Sequence, residues 1–487
     1  MAPPDESERD EPGDGSARPA DGETAGSASE DESGAGAEEP TPSTGEPAPG
    51  PDESTPTTVG SQPRALATVF AIVFVDLVGF GILIPIIPLY AEAFGASEFV
   101  VGILLASYSA FQFVGAPILG RLSDERGRRP ILLLSLLGSV LAWTLFGLAH
   151  ALWVLFLARI LAGLMGGNIA TAQAYVADVT PPEDRAKGLG LIGAAFGLGF
   201  VFGPAIGGFF SDPGLVASVD AALPTLVPID RFSLPSFVAA GITALNLLAA
   251  VFVLPETNPD GEESREEGSR VGRLLDALGD PAIGGLVAAF FLFSLAFSGM
   301  ESMFVLFTKD IFGFGPSANG YLLAYVGVVV AIVQGGLIGR LTDRFGEVPL
   351  AMVGGVLELV ALVALPFSPV IGDALPAVGP LLPVGPSLAS STIALLAVLT
   401  ALAVGNGLAN VSLNTLVSRS AAEEEQGGAF GLTQSAGSLA RTVGPVTAGF
   451  LYTAIDYRIP FVAAGLLMVP ILYVLVSRTF GEGPAPA

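Results

Sequence analysis

Long apolar stretches recur between residues 65 and 477 and are separated by short polar segments. Each stretch has about 20 residues or more, enough at ~1.5 Å per residue to cross the ~30 Å hydrocarbon core of a bilayer. The pattern predicts twelve spanning helices, numbered spans 1 to 12, at residues 65–90, 98–122, 129–149, 151–175, 186–210, 233–254, 282–308, 318–341, 348–368, 391–415, 428–452 and 459–477. The chain is therefore expected to be an all-α membrane protein.

Two polar segments divide the chain into predicted domains. Residues 1–62 are mostly Pro, Gly, Ser, Thr, Glu and Asp, so they cannot bury enough apolar surface to offset the entropy of ordering. We interpret them as a disordered, solvated acidic tail, with a specific docking segment as the alternative. A second polar segment, 256–280, forms a linker between a bundle of six spans at 63–255 and another at 281–480, and 481–487 form a C-terminal tail.

The two halves also repeat in sequence. GRLSDERGRRP follows span 2 at 120–130, and GRLTDRFGEVP follows span 8 at 339–349. FGPAIGG at 202–208 in span 5 is matched by VGPVTAG at 443–449 in span 11. Repeated halves in one membrane chain are typical of transporters that alternate access around a site at the repeat interface. The sequence thus predicts two six-helix repeats.

Composition limits the chemistry, and charge indicates the orientation. The 487 residues include no cysteine and one histidine, which excludes disulfides and thiolate metal sites. With 46 acidic and 21 basic side chains, of which two are lysines, the composition resembles that of proteins from salt-loving organisms. Fourteen basic residues lie in segments on the side of both termini and three on the opposite side. The positive-inside rule therefore predicts a cell-membrane protein with both termini cytoplasmic.

The loop after span 2 resembles the signature G-x-L-[AS]-D-R-x-G-R-[RK] of the major facilitator superfamily. Its residues are Gly120, Asp124, Arg126, Gly127, Arg128 and Arg129, and the second copy keeps Asp343 and Arg344. The resemblance implies the major facilitator fold, in which this charge network is a cytoplasmic gate that stabilises one access state. A basic loop that only sets topology is the alternative interpretation.

Span 5 carries a glycine-rich pattern that resembles the antiporter signature G-x-x-x-G-P-x-x-G-G of the same family. The matching residues are Gly199, Gly203, Pro204, Gly207 and Gly208. Small residues every four positions let helix backbones approach closely, and the proline permits bending. The pattern predicts a hinge, with plain helix packing as the alternative.

Span 1 looks like the opening helix of the tetracycline-efflux and multidrug branch. It places Asp76 near the bilayer centre, where a carboxylate costs ~2.5–3.5 kcal/mol on insertion scales, so we expect a role in proton coupling. Glu301 in span 7 and Glu358 in span 9 compete for that role. Arg159 and Arg441 are expected to be buried and either to pair with such a carboxylate or to anchor an anionic substrate. A purely structural partnership of Asp76 with one arginine is the alternative.

A stripe of amides follows one face of span 10. Asn406, Asn410 and Asn414 recur every four residues, and Gln112 lies in span 2. We expect these side chains to line a cavity, with hydrogen bonds between helices as the alternative interpretation.

The function predicted from these features is secondary active transport. We expect a proton-coupled exporter of small apolar or amphipathic compounds, with an uptake symporter for a sugar or metabolite, or a non-transporting receptor or scaffold, as alternatives. No phosphate-binding loop G-x-x-x-x-G-K-[ST] occurs, so the proton gradient is the expected energy source and no cofactor or metal is expected. The expected partners are a small-molecule substrate, protons and the lipid bilayer, without nucleic acid. We expect a monomer and no enzymatic activity.

Overall fold

The computed structural model describes residues 62–181, 184–222, 229–257, 281–374, 389–420 and 426–481, and these ranges contain helices and connecting turns but no strand. The expected disordered tail, nearly all of the linker 256–280 and most of the C-terminal tail lie outside the described residues. The predictions for those segments remain predictions.

The first half of the chain contains spans 1 to 6. Span 1 consists of Gln62–Leu83 and Ile87–Ala93, and span 4 of Leu152–Met165 and Asn168–Val179. The other four spans are the continuous helices Glu98–Arg126, Arg128–Gly147, Arg185–Phe210 and Ser233–Val253. A further helix, Pro213–Ala222, follows span 5.

The second half contains spans 7 to 12. Spans 7, 10 and 11 are the continuous helices Pro281–Phe312, Ser390–Ser420 and Gln426–Ala454. The remaining spans are interrupted: span 8 by a π-turn, span 9 by a 3₁₀ turn and span 12 by a break. Their segments are Pro316–Ile332, Val333–Leu337 and Ile338–Phe345; Glu347–Ala364, Leu365–Phe367 and Ser368–Ala374; Ile459–Leu466 and Met468–Gly481.

Eleven helical segments of the described ranges are long and apolar enough to cross a membrane. Span 11 is not among them, although Gln426–Ala454 is a continuous helix of 29 residues. Its Gln, Ser, Thr, Arg and Gly residues lower its mean hydropathy, and several of its polar side chains are exposed. With this helix, the predicted twelve helices are confirmed.

Helix breaks lie where the sequence interrupts the backbone ladder. Span 1 turns between Leu83 and Ile87, next to Pro85 and Pro88, because proline cannot donate the helical hydrogen bond. Span 4 breaks at Gly166 and Gly167, which favour interruption since glycine is a poor helix former. Both breaks lie beside helices that carry charged residues.

The helix packing repeats with the sequence. Span 1 packs on span 5 as span 7 packs on span 11, and span 3 packs on span 6 as span 9 packs on span 12. Span 2 packs on span 4 as span 8 packs on span 10. Between the halves, span 2 packs on span 11 and span 5 on span 8. The contacts between the halves are therefore made chiefly by spans 2, 5, 8 and 11.

Candidate transport site

The two halves cross closely at one end, which we call the closed end. A Cβ added at Gly102 of span 2 or at Gly449 of span 11 would collide with the backbone of the other helix. Gly208 of span 5 and Gly320 of span 8 approach each other in the same way, since a Cβ at Gly208 would collide with the Ser317 carbonyl and a Cβ at Gly320 with the backbone of Gly208. Only glycine allows backbones to approach this closely, so these contacts seal the closed end.

Charged side chains add polar contacts at the closed end. Lys309 at the end of span 7 forms an ion pair with Glu92 at the end of span 1. The neighbouring Asp310 accepts a hydrogen bond from the Tyr452 hydroxyl at 2.8 Å, which ties span 7 to span 11. Glu92 and Lys309 come from different halves, so their pair joins the halves directly.

A second polar contact joins spans 2 and 11 at the closed end. The Thr453 hydroxyl donates to Glu98 Oε2 at 3.0 Å and accepts from the Phe99 backbone N–H at 3.1 Å. The first four N–H groups of a helix have no partner within the helix, so span 11 satisfies one of them for span 2.

At the opposite end, which carries the loops 120–130 and 339–349 and which we call the open end, the same four helices separate. A Cβ built on Gly120, Gly190, Gly193, Gly197, Gly335, Gly336, Gly339 or Gly431 meets no described atom within 4 Å beyond its own turn of helix, and the nearest atoms to a Cβ at Gly188 belong to the same half. The described residues at this end therefore show no glycine crossing between the halves of the kind that joins the closed end.

Around the first loop, the described contacts lie within the first half. Arg128 forms ion pairs with Asp124 and, at 3.1 Å, with Asp178 at the end of span 4, and it donates to Ser123 at 2.9 Å. Glu256, just after span 6, accepts from the backbone N–H groups of Arg128 and Arg129 at 2.8 and 3.2 Å. This carboxylate caps span 3 and locks the loop onto spans 4 and 6.

Gly127 explains how Glu256 reaches that position. Its φ of 94° is a conformation that favours glycine, and a Cβ there would lie 2.5 Å from Glu256 Oε2. Of the other signature residues, Gly120 faces open space and Arg126 is exposed. Arg129 donates to the Val251 carbonyl at 2.7 Å, which links span 3 to span 6.

The second loop is held differently. Glu347, which follows Gly346, pairs with Arg419 near the end of span 10 at 2.7 Å. Asp343 and Arg344 are exposed, and the Arg344 guanidinium lies 5.4 Å from the centre of the Phe345 ring.

Four of the predicted hinge residues of span 5 lie at crossings with other helices. A Cβ at Gly199, Gly203 or Gly207 would collide with Leu77, Gly81 or Ile82 of span 1, respectively. Gly208 meets span 8 instead, and Pro204 lies within the continuous helix. The glycines therefore pack helices closely here; their role as a hinge remains a prediction.

Arg159 of span 4 is buried deep in the first half, as expected, with 4% of its surface exposed. Its Nη2 donates to the Leu105 carbonyl at 3.2 Å, and its guanidinium carbon lies 4.7 Å from the centre of the Tyr108 ring. Its Nε and Nη1 have no hydrogen-bond partner among the described residues. Tyr108 and Gln112 of span 2 in turn contact the break of span 4, where Gln112 donates to the Gly166 carbonyl at 3.0 Å.

Charges from both halves converge on Tyr108. Arg159, Asp76 of span 1 and Arg441 of span 11 all lie near its hydroxyl. Arg441 also interacts with Glu301 of span 7, and both Glu301 and Asp76 are half-buried. Arg441 itself is exposed in the structure, whereas Arg159 is buried. We call Asp76, Tyr108, Arg159, Glu301 and Arg441 the central cluster.

Glu358 lies apart from the central cluster, fully buried where span 9 packs on span 10. Asn406 donates to its Oε1 at 3.5 Å, and Oε2 has no partner among the described residues. Asn406 is 8% exposed, so the expected cavity lining is wrong for this residue, because its amide faces span 9. Asn414 donates to the carbonyl and side-chain oxygens of Asn410 at 2.9 and 3.2 Å, so these bonds lie within span 10 and the role of both amides remains a prediction.

Sequence reasoning missed several residues that the structure brings into the site. Asp178 and Glu256 hold the first loop, and Tyr108 holds Arg159. The repeat could have indicated Asp178. Span 4 corresponds to span 10, and Asp178 and Arg419 are the second-last residues of these two helices. Nothing in the sequence indicated the contact between Tyr108 and Arg159, which lie 51 positions apart.

Twelve helices in two repeats, with the halves crossing closely at one end, are typical of a membrane transporter built from repeated halves. The sequence profile of the Major Facilitator Superfamily matches residues 69–385 and 370–487, and the chain therefore belongs to this family. Family, fold and the multi-pass membrane location expected from the sequence are thereby confirmed.

The chain is 31% identical over 398 residues to the class C tetracycline resistance protein of Escherichia coli, covering 80% of this chain and 90% of that protein. It is 28% identical over 391 residues to multidrug resistance protein 1 of Bacillus subtilis, covering 80% and 89%. These relatives confirm the resemblance to the tetracycline-efflux and multidrug branch.

Among solved structures, a bacterial homolog of the human lysosomal transporter Spinster, in an inward-facing and occupied conformation, matches with a TM-score of 0.68 and 16% identity. The match covers 86% of this chain and 98% of that one. At this identity the likeness shows the fold alone.

Proposed function

We propose that this transporter exports small apolar or amphipathic compounds, drugs among them, in exchange for protons. Its relatives named for tetracycline and multidrug resistance support the substrate class. The central cluster carries the proposal, because ionisable side chains from both halves lie around one tyrosine of span 2. Charged residues inside a membrane protein are costly and usually mark substrate or ion pathways.

For proton coupling we propose Asp76 first, with Glu301 and Glu358 as the competing acids. Asp76 and Glu301 both belong to the central cluster, where a bound substrate and a proton would compete for the same surroundings. Glu358 is fully buried between spans 9 and 10, so a proton there would act on the substrate only through helix movement. In this account the proton gradient supplies the energy and no cofactor is required.

We further propose that the protein works as a monomer in the cell membrane with both termini cytoplasmic. The excess of basic residues beside the termini supports this orientation. The open end would then face the cytoplasm, from which an exporter takes its substrate. Because the chain contains no cysteine, Ser264→Cys should be protected from an impermeant external thiol reagent and Ser218→Cys should react with it. The reverse pattern would overturn the orientation.

The proposed function is tested with the purified protein in proteoliposomes under an imposed proton gradient, with a chemically broad panel of compounds. We expect gradient-driven accumulation of at least one amphipathic compound against its own gradient, and collapse of that accumulation when an ionophore removes the proton gradient. Movement of the substrate together with protons would favour the symporter. Transport at a rate that does not depend on the proton gradient would rule out proton coupling.

A further inference from the structure

Tyr108 lies on span 2 where it contacts the two halves of span 4. On one side, the Arg159 guanidinium carbon lies 4.7 Å from the ring centre, and the Leu105 carbonyl, one turn earlier on span 2, accepts from Arg159 Nη2 at 3.2 Å. On the other side, the hydroxyl accepts from Gln112 Nε2 at 3.3 Å, and Gln112 donates to the Gly166 carbonyl at the break of span 4. Tyr108 therefore contacts span 4 directly at Arg159 and, through Gln112, at the break.

Arg159 depends on this contact. It is 4% exposed, and two of its nitrogens have no hydrogen-bond partner in the part of the chain that the structure describes. A buried cation is costly unless it is paired, and the face of an aromatic ring offers part of that compensation. The ring of Tyr108 and the Leu105 carbonyl are the described groups that compensate the guanidinium.

Arg441 differs from Arg159 in this respect. It is exposed, whereas Arg159 is occluded beside the ring of Tyr108, yet both arginines lie near Tyr108. Tyr108 therefore stands between an occluded arginine of the first half and an exposed arginine of the second half.

We propose that Tyr108 is a positioning residue of the transport site, an inference that rests on the proposed function. Its ring holds Arg159 occluded in this conformation, and its hydroxyl orients Gln112, which in turn donates to the break of span 4. Arg159 then offers the N–H groups of Nε and Nη1 to an anionic group only when spans 2 and 4 move relative to each other. Tyr108 acts through Arg159 and need not touch the substrate.

The first test measures the position of Arg159 without transport. Purified protein is treated with an arginine-specific dicarbonyl reagent, and mass spectrometry compares the modification of Arg159 with that of exposed Arg441 in the same chain. In Tyr108→Leu we expect the ratio to rise at least ~5-fold, the order of effect of losing one cation–π contact. Tyr108→Phe keeps the ring and should leave the ratio unchanged. Equal protection of Arg159 in the leucine variant would overturn the proposal.

The second test changes the ring without changing its shape, so it does not depend on the leucine variant folding. Phenylalanine and its mono-, di- and trifluorinated forms are placed at position 108, because each fluorine weakens the attraction of the ring face for a cation. We expect stepwise slower transport and stepwise greater modification of Arg159 along this series. If neither the transport rate nor the modification of Arg159 changes along the series, the proposal is contradicted.

A double-variant cycle shows whether Tyr108 acts through Arg159. Tyr108→Leu should slow transport by ~5- to 30-fold in the native background but by less than about twofold when Arg159→Gln is already present. Tyr325→Leu, in which an exposed tyrosine of span 8 is changed in the same way, is the control and should have the same effect in both backgrounds. Additive losses from Tyr108 and Arg159 would overturn the positioning role. A native chain that transports no compound, although Tyr108→Leu still increases the modification of Arg159, would overturn the proposed function. That outcome would leave the contact between Tyr108 and Arg159 supported.

Discussion

Arg128 and Glu347 occupy the same position in the two repeated loops, and each pairs with the second-last residue of a matching helix. Arg128 pairs with Asp178 at the end of span 4 at 3.1 Å, and Glu347 pairs with Arg419 at the end of span 10 at 2.7 Å. The two copies therefore keep an ion pair and exchange its charges. The contact itself, and not the sign of either side chain, is what the repeats share.

The two ion pairs should differ in strength. Arg128 is 12% exposed and has several partners, so we expect Arg128→Ala to lower the free energy of unfolding by ~1–3 kcal/mol. Arg419 is 68% exposed, and Arg419→Ala should cost less than ~1 kcal/mol because solvent screens the pair. Thermal unfolding in detergent measures both. An equal or larger loss from Arg419→Ala would show that the second pair is not a surface contact.

The signature carboxylate should act on the conformational balance. Asp124→Asn keeps the volume and removes the charge that pairs with Arg128, so we expect the balance of access states to shift by ~1–3 kcal/mol and turnover to slow more than substrate affinity changes. Asp343→Asn, the equivalent change at an exposed position of the second loop, is the matched control and should leave turnover within about twofold. Altered affinity with unchanged turnover would argue against a gate.

The pair of Glu92 and Lys309 should stabilise the closed end. Lys309→Met removes one half of the contact, so spin labels at Ala93→Cys and Ala454→Cys should show a larger population of long distances across the closed end. Exchange of the charges in the double variant Glu92→Lys with Lys309→Glu should restore the native distances. Lys187→Met, which breaks a pair with Asp184 inside the first half, should change nothing. If the exchanged pair behaves like Lys309→Met, the ion pair is not the closing contact.

The sequence predicts much of this fold because apolar length and repetition are local properties of a chain. These local properties are enough to predict the twelve spans, the repeated loops and the closely packed glycines of span 5. Asn406 shows the limit, since a stripe of amides fits a cavity wall and a helix interface equally well, and only packing shows that it faces Glu358. Glu256 and Tyr108 could not be assigned either, because their partners are set by how distant helices cross.

We propose that Asp76 couples substrate to protons within the central cluster. Antiport requires the two to compete, so substrate binding should release a proton and should weaken as the pH falls. Asp76→Asn resembles the protonated form and should bind substrate more weakly, at a strength that no longer depends on pH. Glu301→Gln and Glu358→Gln are the matched variants of the competing acids.

The most direct measurement is proton release when the identified substrate is added to purified protein in a weakly buffered solution. We expect the native chain, Glu301→Gln and Glu358→Gln to release a proton on substrate binding, and Asp76→Asn to bind substrate without releasing one. Undiminished release from Asp76→Asn would contradict the proposal for Asp76. Its loss in Glu301→Gln or Glu358→Gln would then assign the coupling to that acid.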